Sequence, residues 1–174
     1  MYPIITDTHL KQDNIDLVID IFKQFIDLIK SRGLKTAIHA GDFFTSRSSQ
    51  SLSCLLASQK IFDLFEEARI TLYIIPGNHD KTSLIAEESY LNVVCNNLKY
   101  VNLIQKETTV IQSDGIILHF LPYFREGIEY LSRLSNLLED ESFKQPKGVF
   151  KHVLITHASI NGVKNNSVYN SWKS

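Results

Sequence analysis

The sequence predicts an α/β domain in which helices cover the faces of a mixed β-sheet. From the N-terminus to residue 75, short apolar runs alternate with amphipathic segments, which is the pattern of parallel strands joined by helices. Farther along, three short strand-like runs follow one another without helices between them, and this favours mixed pairing. The 174 residues, of which 44% are apolar, are enough for one globular domain with a substantial core.

The charge balance and the cysteines argue against several classes of protein. The formal net charge is −1, so composition gives no general basic field that would attract nucleic acid or anionic lipid. Cys54 and Cys95 form no Cys-x-x-Cys pair, which disfavours a disulfide framework or a structural zinc site and favours the reducing cytoplasm. The apolar runs are too short for a membrane span of about 20 residues. A strand-like run from Tyr2 leaves no room for a signal peptide.

The first half is predicted to run β-α-β-α-β. Apolar residues recur at three- and four-residue steps through the first helix, with Asp13 or Asn14 able to cap its start and Gly33 marking its end. A serine-rich stretch precedes the second helix. The predicted elements are a strand at Tyr2–Thr6, a helix at Asn14–Ser31, a strand at Lys35–His39, a helix over residues 52–65 and a strand at Thr71–Ile75.

The second half is predicted to pair its strands differently. Ser113-Asp114-Gly115 is a good hairpin turn, because Asp-Gly tolerates positive φ, so the strands on either side of it should be antiparallel. The predicted elements are strands at Tyr100–Ile104, Glu107–Gln112 and Ile116–Leu121, a helix at Ile128–Leu138 and a strand at Phe150–Thr156. From Asn161 onward the tail is polar and shows no clear period.

Polar residues with metal-binding side chains stand at the ends of four of these strands. They are Asp7 and His9, Asp42, the Asn78-His79-Asp80 run, and His157. Ligands of open α/β sheets bind beyond the carboxyl ends of the strands, so these residues should meet in space. Two metal ions about 3.5–4 Å apart can clamp the attacking and leaving oxygens of a phosphoryl displacement, and nitrogen and oxygen ligands of this kind suit Mn²⁺.

Single residues of this set would mean little. Asp at a strand end is usually a cap or a turn former, and Gly-Asn-His-Asp alone could be a turn. The prediction rests on all four blocks occurring in order. Simpler roles are favoured for the other notable residues. His39, His119 and His152 are expected to be hydrogen-bonded histidines in the core or at the surface, and Phe43 and Phe44 are expected to pack in the core. Solvated loop charges that could contact DNA phosphates are expected at Lys11, Arg47, Lys81 and Arg125.

Together, Asp7-x-His9, Gly41-Asp42, Gly77-Asn78-His79-Asp80 and Thr156-His157 resemble the calcineurin-like metallophosphoesterase superfamily, over residues 1 to about 160. The blocks around Asp7 and Asp42 and the strand ending in Leu121-Pro122-Tyr123 look most like SbcD-type DNA repair exonucleases and related bacteriophage recombination nuclease subunits. The resemblance implies a mixed β sandwich flanked by helices. Residues 1–174 would then be the N-terminal portion of a nuclease domain.

The resemblance also implies two divalent metal ions, with Mn²⁺ the expected metal. Asp7 and His9 would bind the first ion, Asp42 would bridge both, and Asn78 and His157 would bind the second.

His79 would not be a ligand. It would donate to the scissile phosphate or protonate the leaving oxygen, with Asp80 orienting its ring.

Two departures from the family pattern accompany these expectations. The Gly-His-x-His block that usually follows the position of His157 by about thirty residues is absent, so the resemblance implies a C-terminally incomplete domain. Thr45 stands where SbcD-like proteins usually have Asp. By resemblance, the partners would be DNA, an SbcC-type ATPase subunit and a second copy of the chain.

Two other functions stay open at this point. One is hydrolysis of a small phosphoester, because one fold hosts many substrates. The protein phosphatase branch of that class is disfavoured, since Asp80 replaces its usual Glu and its usual Arg after the second block is lacking. The other is a module that keeps the fold without catalysis, which the missing Gly-His-x-His block would explain.

Overall fold

The computed structural model describes residues 1–83, 88–124, 128–139 and 150–158. A four-stranded sheet contains β1 (Ile4–Ile5), β2 (Thr36–His39), β3 (Thr71–Ile74) and β4 (Val101–Leu103). A three-stranded sheet contains β5 (Thr108–Ile111), β6 (Ile116–Leu121) and β7 (Lys151–Thr156). The helices are α1 (Ile15–Ser31), α2 (Leu52–Ala68), α3 (Leu91–Val94) and α4 (Ile128–Glu139), and a 3-10 turn at Gln12–Asn14 precedes α1.

The first sheet is entirely parallel and follows chain order, β1-β2-β3-β4. Helices α1 and α2 connect its first three strands and bury their apolar stripes in a common core. The buried positions of α1 are Val18, Phe22, Ile26 and Ile29, spaced by three or four residues as the sequence predicts. This parallel arrangement brings the carboxyl ends of β1, β2 and β3 to the same edge of the sheet.

The second sheet is mixed, as predicted. Strands β5 and β6 form an antiparallel hairpin, and Gly115 in the turn has φ 77. Strand β7 pairs in parallel with β6. A second core contains residues of both sheets, including Ile38 of β2, Phe120 of β6 and Ile155 of β7. The two sheets therefore pack against each other, and the predicted mixed sandwich with flanking helices is confirmed.

The structure changes some details of the prediction. Strand β1 has only two residues, and the single turn α3 has no counterpart among the predicted elements. The side chain of Asn14 does not cap α1. Its amide instead donates to the carbonyl of His9 at 3.0 Å, while its oxygen accepts from the backbone nitrogen of Lys11 at 2.8 Å. The polar tail from Asn161 lies outside the described residues.

Several isolated polar and aromatic residues also have defined places. His39, Phe43, Phe44 and His119 are buried, as expected, and both cysteines are free and buried. Lys81 is not a solvated loop charge: it is 1% exposed, with Nζ 4.9 Å from the ring centre of Phe124. Arg125 lies outside the described residues. Among the helices that the structure describes, none combines the length and the apolar character needed to cross a membrane.

Candidate metal centre

Four strand ends supply the residues of the candidate centre. Strands β1, β2, β3 and β7 lead directly into the segments that contain Asp7, Asp42, Asn78 and His157. The first two segments are tied together through their backbones. The amide of Asp7 donates to Gly41 O at 3.0 Å, and the amide of His9 donates to Asp42 O at 3.1 Å. The main chain therefore fixes the first two of these segments relative to each other.

Asp7, His9 and Asp42 form one group of donor atoms. One ligand atom from each lies within 4.8 Å of the others. His9 Nε2 is 3.8 Å from Asp7 Oδ1 and 3.9 Å from Asp42 Oδ2. These separations are too long for hydrogen bonds, but two ligands of one small divalent ion can lie up to about 4.2 Å apart. The donor set, two carboxylates and an imidazole, suits a divalent metal ion.

The backbone of this group is unusual. Asp7, His9 and Asp42 have φ values of 54°, 46° and 55°, in the left-handed region that residues with a Cβ seldom occupy. Each such residue costs about 1–3 kcal/mol and persists only where surrounding contacts hold it. All three members of the donor group share this feature, which is typical of residues constrained by a functional site.

His157 and Asn78 form a second group on the other side of Asp42. His157 Nε2 lies 3.1 Å from Asn78 Oδ1 and 3.4 Å from Asp42 Oδ1, while its Nδ1 donates to the carbonyl of Ala40 at 3.0 Å. With Nδ1 carrying one proton, Nε2 faces two oxygens, so either a second proton or a metal ion is needed between them. Carbonyl bonds of this kind fix the tautomer of metal-binding histidines.

The charges of Asp42 and His157 support each other. Burial raises the pKa of Asp42, but hydrogen bonds from His157 and from the amide of His79 outweigh it, so the pKa lies below its usual value. Burial lowers the pKa of His157, but its bond and its attraction to Asp42 leave the pKa above the usual value. Between these two groups, a proton is therefore favoured on His157 rather than on Asp42. A metal ion would take the place of that proton.

Two glycines allow the loops to approach each other. A Cβ on Gly41 would lie 2.5 Å from Nδ1 of His157, and a Cβ on Gly77 would overlap Oδ1 and the backbone nitrogen of Asp42. Gly41 also has φ 101, which a residue with a Cβ rarely adopts. Both positions therefore require glycine for these side chains to converge.

His79 lies beside the donor groups without joining them. Its ring is 5.2 Å from that of His9, in an edge-to-face arrangement. Its Nδ1 donates to the carbonyl of Thr45 at 2.6 Å, which leaves Nε2 available for proton transfer. Its backbone amide donates to Asp42 Oδ1 at 2.9 Å. His79 therefore lies next to the group of Asp7, His9 and Asp42, held through its ring and through its backbone.

The structure differs from the prediction for Asp80. The predicted contact with the ring of His79 is replaced by the Thr45 carbonyl. Asp80 is fully buried, and its carboxylate accepts from the amides of Phe43, Phe44 and Gly77 at 3.2, 2.8 and 2.8 Å. Burial raises its pKa to about 6, although the three amides stabilise the charged form. The carboxylate of Asp80 thus connects the loop after β2 to the loop after β3 through hydrogen bonds from their backbone amides.

Thr45 and Tyr123 belong to the site, although sequence reasoning gave neither a role in it. Thr45 holds the ring of His79 through its carbonyl, and its hydroxyl donates to His9 O at 2.6 Å. Tyr123 lines a cavity of about 390 Å³ together with Asp7, Asn78 and His157. The Leu121-Pro122-Tyr123 strand end is a signal that could have indicated Tyr123, whereas no side-chain pattern indicates the backbone contact of Thr45 with His79.

Comparison with known proteins identifies the family of this chain. A sequence model described as Calcineurin-like phosphoesterase matches residues 4–173. The chain belongs to this family. The match covers all four strand-end blocks, so the calcineurin-like resemblance is confirmed.

Two curated relatives share part of their sequence with this calcineurin-like phosphoesterase domain. Exonuclease subunit 1 of Enterobacteria phage T4 is 30% identical over 115 residues, 62% of this chain and 32% of that protein. DNA double-strand break repair protein Mre11 of Methanocaldococcus jannaschii is 28% identical over 169 residues, 92% of this chain and 44% of that protein. The chain therefore spans less than half the length of the curated relatives it matches.

A solved structure supports the fold. A dimetal phosphatase from Danio rerio superposes with a TM-score of 0.50 at 10% identity, covering 82% of this chain and 53% of that chain. At this identity the similarity indicates a shared fold only.

Proposed function

We propose that this domain hydrolyses phosphodiester bonds of DNA with two divalent metal ions, which we expect to be Mn²⁺. One observation carries the proposal: the buried carboxylate of Asp42 is shared by two donor groups. Its Oδ2 lies 3.9 Å from His9 and its Oδ1 lies 3.4 Å from His157. A bridging carboxylate between two sets of nitrogen and oxygen ligands is what a two-metal phosphoesterase needs.

Each residue of the site has a proposed part. Asp7 and His9 would hold one ion, Asn78 and His157 the other, and Asp42 both. When bound, the ions would activate water and stabilise the charge that develops on the phosphate oxygens.

We propose that His79 acts as the proton donor. Because the Thr45 carbonyl fixes one proton on Nδ1, the doubly protonated ring would donate its second proton from Nε2 to the leaving oxygen and become neutral. Asp80 supports this arrangement as a positioning residue. It holds the backbone of Phe43, Phe44 and Gly77 in place.

DNA is proposed as the substrate on the basis of two similar proteins, whose names denote an exonuclease subunit and a double-strand break repair protein. Lys11 and Arg47 are exposed in loops that follow strand ends and could contact phosphates. On the resemblance to SbcD-type exonucleases, we propose an SbcC-type ATPase subunit and a second copy of the chain as partners.

A second candidate is hydrolysis of a small phosphoester. The cavity beside Asn78 and His157 has a volume of about 390 Å³, within the range that suits small-molecule ligands. The third possibility is a module that binds partners without catalysis. The experiments below separate the three functions.

The metal site is tested first, by calorimetric titration of the chain with Mn²⁺. We expect saturable binding that Asp42→Asn weakens by at least tenfold, because this substitution removes the shared charge with little change of shape. Asp63→Asn, which changes an exposed carboxylate on α2, is the matched control and should bind like the wild type. Equal binding by the Asp42 and Asp63 variants would contradict the proposed site.

The substrate is tested next. With Mn²⁺ present, we expect cleavage of a DNA oligonucleotide that stops when EDTA removes the metal and that is lost in His79→Ala. Hydrolysis of bis(p-nitrophenyl) phosphate without DNA cleavage would favour the small phosphoester. Metal binding without hydrolysis of either substrate would favour the non-catalytic module.

A further inference from the structure

A buried histidine adjoins the ligand loops and has no part in the chemistry proposed above. His39 is the last residue of β2 and is fully buried. Its ring stacks on that of Phe22, with centroids 6.1 Å apart, and lies 5.4 Å from the ring of Phe43. An imidazole in such surroundings is costly unless both ring nitrogens are hydrogen bonded, and both are.

The directions of these hydrogen bonds determine one tautomer. The amide of Gly41 can only donate, so Nδ1 of His39, 3.3 Å away, is the acceptor. The proton of the neutral ring is then on Nε2, which donates to the hydroxyl of Thr8 at 3.0 Å. The Thr8 hydroxyl in turn donates to the carbonyl of Phe43 at 3.3 Å. A chain of three bonds thus runs from Gly41 through His39 and Thr8 to Phe43.

The ring stays neutral over the ordinary pH range. Burial is the main cause that lowers the pKa of His39, and it brings the value to about 3. A protonated ring could not accept from the Gly41 amide, so neutrality preserves the direction of the whole chain.

This chain of hydrogen bonds connects the two loops that carry the first donor group. Thr8 lies between Asp7 and His9, while Gly41 and Phe43 lie on either side of Asp42. We propose that His39 is a positioning residue whose bonds to Gly41 and Thr8 hold these loops at the spacing that a metal ion requires. The inference rests on the proposed metal site and adds a residue that does not touch the metal.

Two substitutions interrupt this chain of hydrogen bonds at different points. His39→Phe keeps an aromatic ring but removes both ring nitrogens. Thr8→Val keeps the volume of the side chain but removes the hydroxyl, and Thr8→Ser, which restores the hydroxyl, is its matched control. Thermal unfolding identifies any variant that fails to fold, and the milder Thr8 pair still tests the inference if His39→Phe does not fold.

Two measurements follow. In the metal-free wild type, nitrogen-15 NMR should show His39 as the Nε2–H tautomer at about pH 7. In calorimetric titrations with Mn²⁺, we expect Thr8→Val and His39→Phe to bind about tenfold more weakly than the wild type, because residues that support metal ligands change affinity by about 10–100-fold. Thr8→Ser should stay within about twofold of the wild type.

The outcomes separate this inference from the proposed function. Lack of Mn²⁺ binding by the wild type would overturn the proposed site, and the inference with it. Wild-type affinity in both Thr8→Val and His39→Phe would overturn the inference alone. So would a His39 ring that carries its proton on Nδ1, or an equal loss of affinity in Thr8→Val and Thr8→Ser.

Discussion

Adding a methyl group at Gly77 tests whether the close approach of two loops sets the metal-binding geometry. A Cβ at this position would overlap Oδ1 and the backbone nitrogen of Asp42. A backbone atom cannot turn away as the end of a flexible side chain can, so the loop that contains Asn78 would have to shift. We therefore expect Gly77→Ala to separate Asp42 from the donors on its side of the site.

The size of the effect follows from the contact. Forcing an extra group into a packed site costs about 1–3 kcal/mol. For a chain of this length, each kcal/mol lowers Tm by about 2–4 °C, so Tm should fall by about 2–12 °C. Mn²⁺ affinity should fall by about 10–100-fold, because the support of a metal ligand is lost.

Gly33→Ala is the control for the loss of glycine itself. Gly33 has φ +64, and nothing lies within 4 Å of a Cβ built there. Left-handed backbone should cost this variant about 1–2 kcal/mol, with no change in Mn²⁺ affinity. Circular dichroism gives Tm and calorimetry gives Kd for both variants. Equal Mn²⁺ affinity in Gly77→Ala and Gly33→Ala would refute the reasoning.

Thr45, Cys95 and His39 provide three further tests. Thr45→Val removes the hydroxyl that donates to His9 O, so Mn²⁺ should bind about fivefold more weakly in calorimetry, whereas Thr45→Ser should bind like the wild type. Burial raises the pKa of Cys95 to about 12, so in a Cys54→Ser background its thiol should resist a disulfide reagent until the protein unfolds; rapid labelling of the folded protein would contradict this. The pKa of His39 falls from 6.5 to about 3 on folding, so between these values the unfolded state binds a proton that the folded state does not bind. The free energy of unfolding should therefore decrease as the pH decreases below 6.5. Urea unfolding should show a loss of about 2 kcal/mol between about pH 7 and pH 5, and His39→Phe should lose less.

The fold could be predicted from sequence where burial repeats with a regular period. Val18, Phe22, Ile26 and Ile29 repeat over several turns, and the run from Ile116 to Leu121 ends at the residue where the strand ends. Helix α3 was missed because one turn, Leu91–Val94, is too short to show a period. Strand β1 was predicted too long, since apolar residues continue beyond its two paired positions.

The candidate site could be predicted only where a side chain carries the chemistry. Asp7, His9 and Asp42 do meet at one edge of the sheet, because parallel strands end on the same side. The partner of the His79 ring could not be predicted, since it is the backbone carbonyl of Thr45 and every residue has one. The expected role of Asp80 in orienting the His79 ring is wrong for a similar reason. The sequence position of Asp80 does not reveal that its carboxylate accepts hydrogen bonds from backbone amides.

Backbone geometry, rather than side chains alone, determines where the ligands lie. Asp7, His9 and Asp42 all have left-handed backbone, which costs about 1–3 kcal/mol for a residue with a Cβ. Hydrogen bonds to groups outside the proposed ligand set offset this cost. The amide of Asp7 donates to Gly41 O, and three backbone amides donate to the carboxylate of Asp80. Such strain is kept only where the folded surroundings determine it. Contacts within the fold therefore hold the backbone of these three residues, and we expect the affinity of the proposed metal site to depend on Gly77, Asp80 and their hydrogen bonds as well as on the proposed ligands.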